Sequence, residues 1–140
     1  MKIPYKIQPD RYGNYLYTVV AKTQLSLALP NSPRTKQFEA IADSGVSRCM
    51  FHADIGRHLG LDIQKGEYET TQGIGGSTES WIQPVQLYVF GAPIDIHAAF
   101  KEGLPCAGLL GMNGFFEHFL ITFMQPALTC EIHRIEQGQA

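Results

Sequence analysis

The sequence predicts an all-β domain with one or two short helices, and three observations carry that expectation. Apolar residues recur with period two over several short segments, the mark of strands with one buried face. Fourteen glycines and eight prolines are spread along the chain, which suits many short elements joined by tight turns. At 140 residues, with 44% hydrophobic and 17% charged side chains, the chain has the length and apolar content of one soluble core.

Residues 1–14 read as an N-terminal extension and residues 15–135 as one domain. Tyr15 to Val20 is aromatic and β-branched, as strands favour. In Gln24 to Leu29, Leu25, Leu27 and Leu29 alternate with Gln24, Ser26 and Ala28, so the three leucines are expected on one buried face. Pro30-Asn31-Ser32-Pro33 is a turn, and Phe38 to Ala42 is a strand running into Asp43-Ser44-Gly45. Phe51 to Leu59 is a helix candidate closed by Gly60. Glu67 to Gln72 and Thr78 to Gln83 are polar, strand-compatible segments. Between them Gly73-Ile74-Gly75-Gly76-Ser77 has the composition of a hairpin tip. Val85 to Phe90 and Ile94 to Ala98 are strands joined through Gly91-Ala92-Pro93. The apolar run Ala107 to Leu110 ends at Gly111, before a second helix candidate around Phe115 to Phe119. Leu120 to Phe123 and Leu128 to Ile132 supply closing strands.

Composition also excludes classes of function. A net charge of −2 gives no electrostatic reason to expect a nucleic acid or an acidic membrane surface as partner. No apolar stretch is long enough to span a bilayer, and Met1 to Tyr12 is polar with two prolines, unlike a secretory signal. Cys49, Cys106 and Cys130 are odd in number and far apart, as expected of reduced cysteines in a cytoplasmic protein. No metal or cofactor is expected. Asp54 and His58 fall four apart on the helix candidate, but no third ligand follows at a metal-binding spacing. Ser44 and Ser47 do not form Gly-x-Ser-x-Gly, and Cys49 reads as packing rather than as a nucleophile.

Asp-Ser-Gly alone is a common turn. Here it follows an apolar strand, and about thirty residues later comes the glycine-rich hairpin tip. After a similar interval comes Leu109-Leu110-Gly111, leading into an aromatic segment. In this order and spacing the three features resemble the retropepsin-like aspartic peptidases, over roughly Tyr15 to Ile132. Ile41-Ala42-Asp43-Ser44-Gly45-Val46 matches the family's catalytic motif, Gly73, Gly75 and Gly76 its flap glycines, and Leu109-Leu110-Gly111 its second hallmark. Arg34 to Glu39 and Gly111 to Phe119 resemble bacterial members more than viral ones.

The resemblance implies a single-lobe acid-protease fold, a closed barrel, acting as an aspartic endopeptidase without metal or covalent intermediate. Asp43 is then the catalytic residue, Ser44, Gly45, Leu110 and Gly111 support its loop, and Gly73, Ile74, Gly75 and Gly76 form the flap over an extended peptide or protein substrate. The chain holds one Asp-Ser-Gly where the chemistry needs two carboxyl groups. A homodimer with the site on its two-fold axis is therefore expected. The alternative is a retropepsin-like module that keeps the dimer and the peptide groove without hydrolysis. Two departures from the family pattern stand out: Ser47 replaces the Asp common in viral members, and the cation Arg48 follows it.

Overall fold

The computed structural model describes residues 1–73 and 76–135. The chain forms, in order, β1 (Lys2–Pro4), β2 (Lys6–Pro9), β3 (Tyr15–Thr18), β4 (Val20–Leu27), β5 (Phe38–Ala42) and β6 (Met50–His52). Then come the one α-helix among the described residues, α1 (Ala53–His58), and β7 (Glu67–Gly73), β8 (Gly76–Val89), β9 (Ala92–Lys101), β10 (Gly108–Leu110), β11 (Phe119–Met124) and β12 (Thr129–Arg134). No described helix is long and apolar enough to cross a membrane.

The main sheet has seven strands in the order β4-β5-β10-β6-β9-β8-β7, and β4 also pairs with β8. That extra pairing closes six of the seven strands into a ring and leaves β7 as an arm on β8. Period two explains the interior. In β9, Ala92, Ile94, Ile96 and Ala98 point inward while Pro93, Asp95 and His97 face solvent. Val85, Leu87 and Val89 of β8 do the same opposite them. Phe51, fully buried, meets Phe38 edge-on at 5.9 Å and Phe100 at 6.2 Å. A second aromatic group, Phe90, Phe115 and Phe119, continues the same core toward the C-terminal strands.

The mostly-β, ring-like architecture is the one the residue pattern predicts, with four local differences. Thr78 to Gln83 and Val85 to Phe90 are one strand, because β8 pairs with β9 throughout. Its other edge passes from β7, whose first residue Glu67 stands opposite Ile82, to β4, whose last residue Leu27 stands opposite Val85. Pro84 stands at this handover, where a missing N–H breaks no ladder. Leu29 is exposed, because β4 ends at Leu27 and the chain is already turning; Leu25 is buried and Leu27 partly so. Phe51 belongs to β6, so the helix starts only after His52, whose ring Nδ1 accepts the Asp54 N–H at 3.0 Å. Gly60, at φ +89°, ends it: its N–H donates to Arg57 O and the Leu61 N–H to Gly56 O, the paired bonds of a Schellman closure.

The second helix candidate is reduced to a single 3-10 turn, Phe116–His118. Gly114 at φ +97° and an extended Phe119 leave no room for a further turn, and Phe115 and Phe119 are buried from these irregular positions. Residues 1–14 contribute β1 and β2. β1 pairs with β12 in a three-stranded sheet ordered β1-β12-β11, and β2 pairs with β3 in a separate two-stranded ribbon. Tyr5, between β1 and β2, is buried and its N–H donates to Leu128 O at 3.0 Å.

Candidate active site

The chain leaves β5 at Ala42 and enters a tight loop, Asp43 to Ser47, before β6. Strand β10 is inserted between β5 and β6, parallel to the first (Leu109 opposite Ile41, Leu110 opposite Ala42) and antiparallel to the second. The two flanks of the loop are thus held apart by Leu109-Leu110, which is why an apolar-apolar-Gly run sits so far along the sequence from the motif it supports. The Asp43 N–H donates to Leu110 O at 2.9 Å, and Leu110 is fully buried beneath it. The Ala42 N–H donates to Val19 O at 2.9 Å, so the residue before Asp43 is gripped as well.

Asp43 is half-buried, and its carboxylate Oδ1 accepts the Gly45 N–H at 2.9 Å. A β-carbon on Gly45 would lie 3.1 Å from that same oxygen, tight enough to crowd it. Gly111 is required for a harder reason. A β-carbon there would meet Val46 Cγ1 at 2.6 Å and the Arg48 carbonyl carbon and oxygen at 2.7 Å. Only a bare Cα lets the strand end pass under the loop. Beyond it, the Met112 N–H donates to Val46 O and the Asn113 N–H to Ser47 O, each at 2.9 Å. Ser44 is exposed at the loop's tip.

Of the expected flap, Ile74 and Gly75 lie outside the described residues. Gly73 ends β7 and Gly76 begins β8, directly opposite each other in the antiparallel register. Gly76 has φ +103°, a conformation that favours glycine. Behind the tip the arm is laced by a Thr71–Thr78 hydroxyl pair at 2.9 Å, by Tyr68 Oη donating to Glu79 Oε1 at 2.9 Å, and by Tyr68 packed edge-on to Trp81.

Three participants escape a reading by motif. Cys49 is buried under the loop, where its Sγ accepts the Gly111 N–H at 3.4 Å and donates to Asn113 O at 3.5 Å. Burial is the main cause that pushes its thiol pKa up to about 11, so it is a packed, protonated thiol rather than a nucleophile. Arg48 is bound through two hydrogen bonds to Glu69 of β7. Cys106, partly buried, has its pKa raised chiefly by burial, with the Asp43 carboxylate adding in the same direction. The sequence marks Arg48 and Cys49 only by their place just after the Asp-Ser-Gly motif, and it marks Cys106 by nothing. Asp54, weighed above as a ligand, is paired with Arg57 at 2.8 Å. Among the described residues no three His, Cys, Asp or Glu side chains are placed to hold a metal ion.

A groove of about 530 Å³, lined by Leu27, Phe38, Ile55 and Leu59 among others, lies by the opposite end of β5 from Asp43.

No protein-family model matches the chain, and no curated protein matches it in sequence. In structure it is similar to a retropepsin-like aspartic protease from Rickettsia conorii, with a TM-score of 0.62 and 18% sequence identity. The match covers 95% of this chain and 98% of the other. The fold is therefore retropepsin-like.

Proposed function

We propose that this chain is an aspartic endopeptidase, cleaving peptide bonds with a water activated between Asp43 and Asp43 of a second copy. The observation that supports this most is the fixing of Asp43. Its backbone is pinned to Leu110, its carboxylate is oriented by Gly45, and it stands half-open to solvent in a retropepsin-like fold.

The chemistry follows from that placement. Two carboxyl groups brought together cannot both ionise, so they hold one proton between them. The ionised partner takes a proton from water while the protonated one gives its proton to the scissile carbonyl oxygen. A single chain supplies one such carboxyl, so the active species is a two-fold dimer. The β7–β8 arm closes over an extended substrate, excludes water and offers backbone hydrogen bonds to it. Ser44, at the tip of the loop, faces its symmetry mate and braces the two loops against each other.

The test is cleavage of an unstructured protein at acid pH, its inhibition by pepstatin, and its loss in Asp43→Asn. Peptide binding by a dimer without cleavage would favour the non-hydrolytic module instead.

A further inference from the structure

The ribbon of β2 and β3 is unusual for a stable chain. Its two strands pair only with each other, through Lys6–Thr18, Ile7–Tyr17, Gln8–Leu16 and Pro9–Tyr15. Every residue of it except Thr18 is exposed, on both faces. An isolated two-stranded ribbon is at best marginally stable in water and needs a cover.

The register sorts its side chains. Ile7, Pro9, Tyr15 and Tyr17 share one face, and Lys6, Gln8, Leu16 and Thr18 share the other. The first face is apolar and continuous with the core, because Tyr5 at its inner end is buried and stacks at a tilt on Tyr17 with ring centroids 6.2 Å apart. Further out, Ile7 is 44% exposed, Tyr15 61% and Tyr17 42%. The opposite face is tied down by Lys6, whose Nζ is 3.4 Å from Glu39 of β5.

We infer that the Ile7–Pro9–Tyr15–Tyr17 face is where a second copy of this chain packs. The inference rests on the shared-site reading above, under which a second copy brings its own Asp43 to this Asp43 loop, and two observations then select that occupant. The ribbon is rooted at that loop: β3 runs through Thr18 into Val19, whose carbonyl holds the Ala42 N–H. The area also fits. The exposed part of this face is on the order of 300 Å² per chain, given about 150–250 Å² for a whole aromatic side chain. That is a sizeable share of the roughly 800 Å² each partner contributes to a stable interface, with the Asp43 loop and exposed Met112 placed to add more. Tyrosines suit this role, since they bring apolar area with few rotatable bonds and are enriched at interfaces.

The experiment is sedimentation of the full chain over about a hundredfold range of concentration, where an obligate dimer shows mass action. Wild type is compared with Tyr15→Lys/Tyr17→Lys and, on the other face, Leu16→Lys. The tyrosine double variant is expected to raise the dimer Kd at least about tenfold, and Leu16→Lys to leave it unchanged. A double variant that dimerises as tightly as wild type overturns the interface and leaves the shared-site reading standing. Equal weakening by both variants overturns the choice of face. A wild-type chain that is monomeric throughout overturns both. Should the double variant lose its circular-dichroism signature, amide exchange of the wild-type ribbon decides. Protection that grows with protein concentration supports the interface, and protection independent of concentration overturns it.

Discussion

Arg48 and Glu69 form a two-point ion pair, with Arg48 Nε 3.2 Å from Glu69 Oε1 and Nη2 3.1 Å from Oε2. Arg48 closes the Asp43 loop and Glu69 lies in β7, so the pair straps the flap arm to the loop it is expected to cover. Side chains about a third exposed make a pair of modest stability, so Glu69→Gln should cost less than about 1 kcal/mol. Its effect should be local: faster amide exchange along β7 and the facing part of β8, and a raised KM for peptide cleavage with a smaller change in kcat. The exchanged pair, Arg48→Glu with Glu69→Arg, should restore slow exchange. Unchanged exchange in Glu69→Gln would show that the strap does not hold the arm.

Gly111→Ala probes the crossing beneath the Asp43 loop. The added methyl group meets backbone of Arg48 as well as the Val46 side chain, and backbone cannot rotate aside. A loss of about 1–3 kcal/mol is expected, the usual range for overpacking. It should appear as a lower urea midpoint with an unchanged slope. Activity should fall further than stability, because the displaced atoms carry Asp43.

The Asp43 loop and its support were legible in the sequence because they are written in local terms: an apolar strand, a turn tripeptide, an apolar-apolar-Gly run. Phe38 to Ala42 is β5 to the residue. What was not legible depends on tertiary pairing. Pro84 looks like a strand break until β8 is seen to change partners on one edge while keeping β9 on the other. Phe115 to Phe119 has the composition of a short helix, yet its two end phenylalanines are worth more in the core than the turn is as a helix. Arg48 and Glu69 are 21 residues apart, with no periodicity to relate them. The strands of residues 1–14 carry too little alternation to announce themselves, and the tyrosines beside them read as an ordinary strand.

Cys49 gives a chemical test of the packing under the loop. Its thiol is buried, bonded to Gly111 and Asn113, and raised to about 11. In the folded chain near pH 8 it should resist alkylation by iodoacetamide while Cys106, only partly buried, reacts. Mass spectrometry of the labelled chain should find Cys49 modified only after denaturant is added. Rapid labelling of native Cys49 would mean that the loop opens far more often than its hydrogen bonds suggest.

The turn of the β2–β3 ribbon is organised by Asp10. Its Oδ1 accepts the N–H groups of Tyr12 at 2.8 Å and Asn14 at 2.9 Å, and these bonds, Asn14 first, hold the carboxyl below the ordinary aspartate range. A folded-state pKa that is depressed contributes stability above the unfolded value, near about 3.9, and loses it as pH falls through the folded value. The Tyr12 and Asn14 amides should therefore keep their shifted NMR positions below pH 4 and lose them only in stronger acid. Asp10→Ala should abolish the transition.

Mixing active and inactive chains distinguishes a shared site from two private ones. In Asp43→Asn the amide keeps the size of the carboxyl group, and its oxygen still accepts the Gly45 N–H, so folding and dimerisation should be unchanged. It cannot hold or pass the shared proton, and losing an acid–base group of this kind typically costs roughly 10²–10⁴-fold in rate. When the two chains are exchanged at equal concentration, random two-fold pairing leaves roughly one quarter of dimers with both aspartates. Activity should follow the square of the wild-type fraction across the mixing series, with total protein held constant. A straight line would mean that each chain cleaves alone, and the carboxyl opposite Asp43 would then have to be sought within the same subunit.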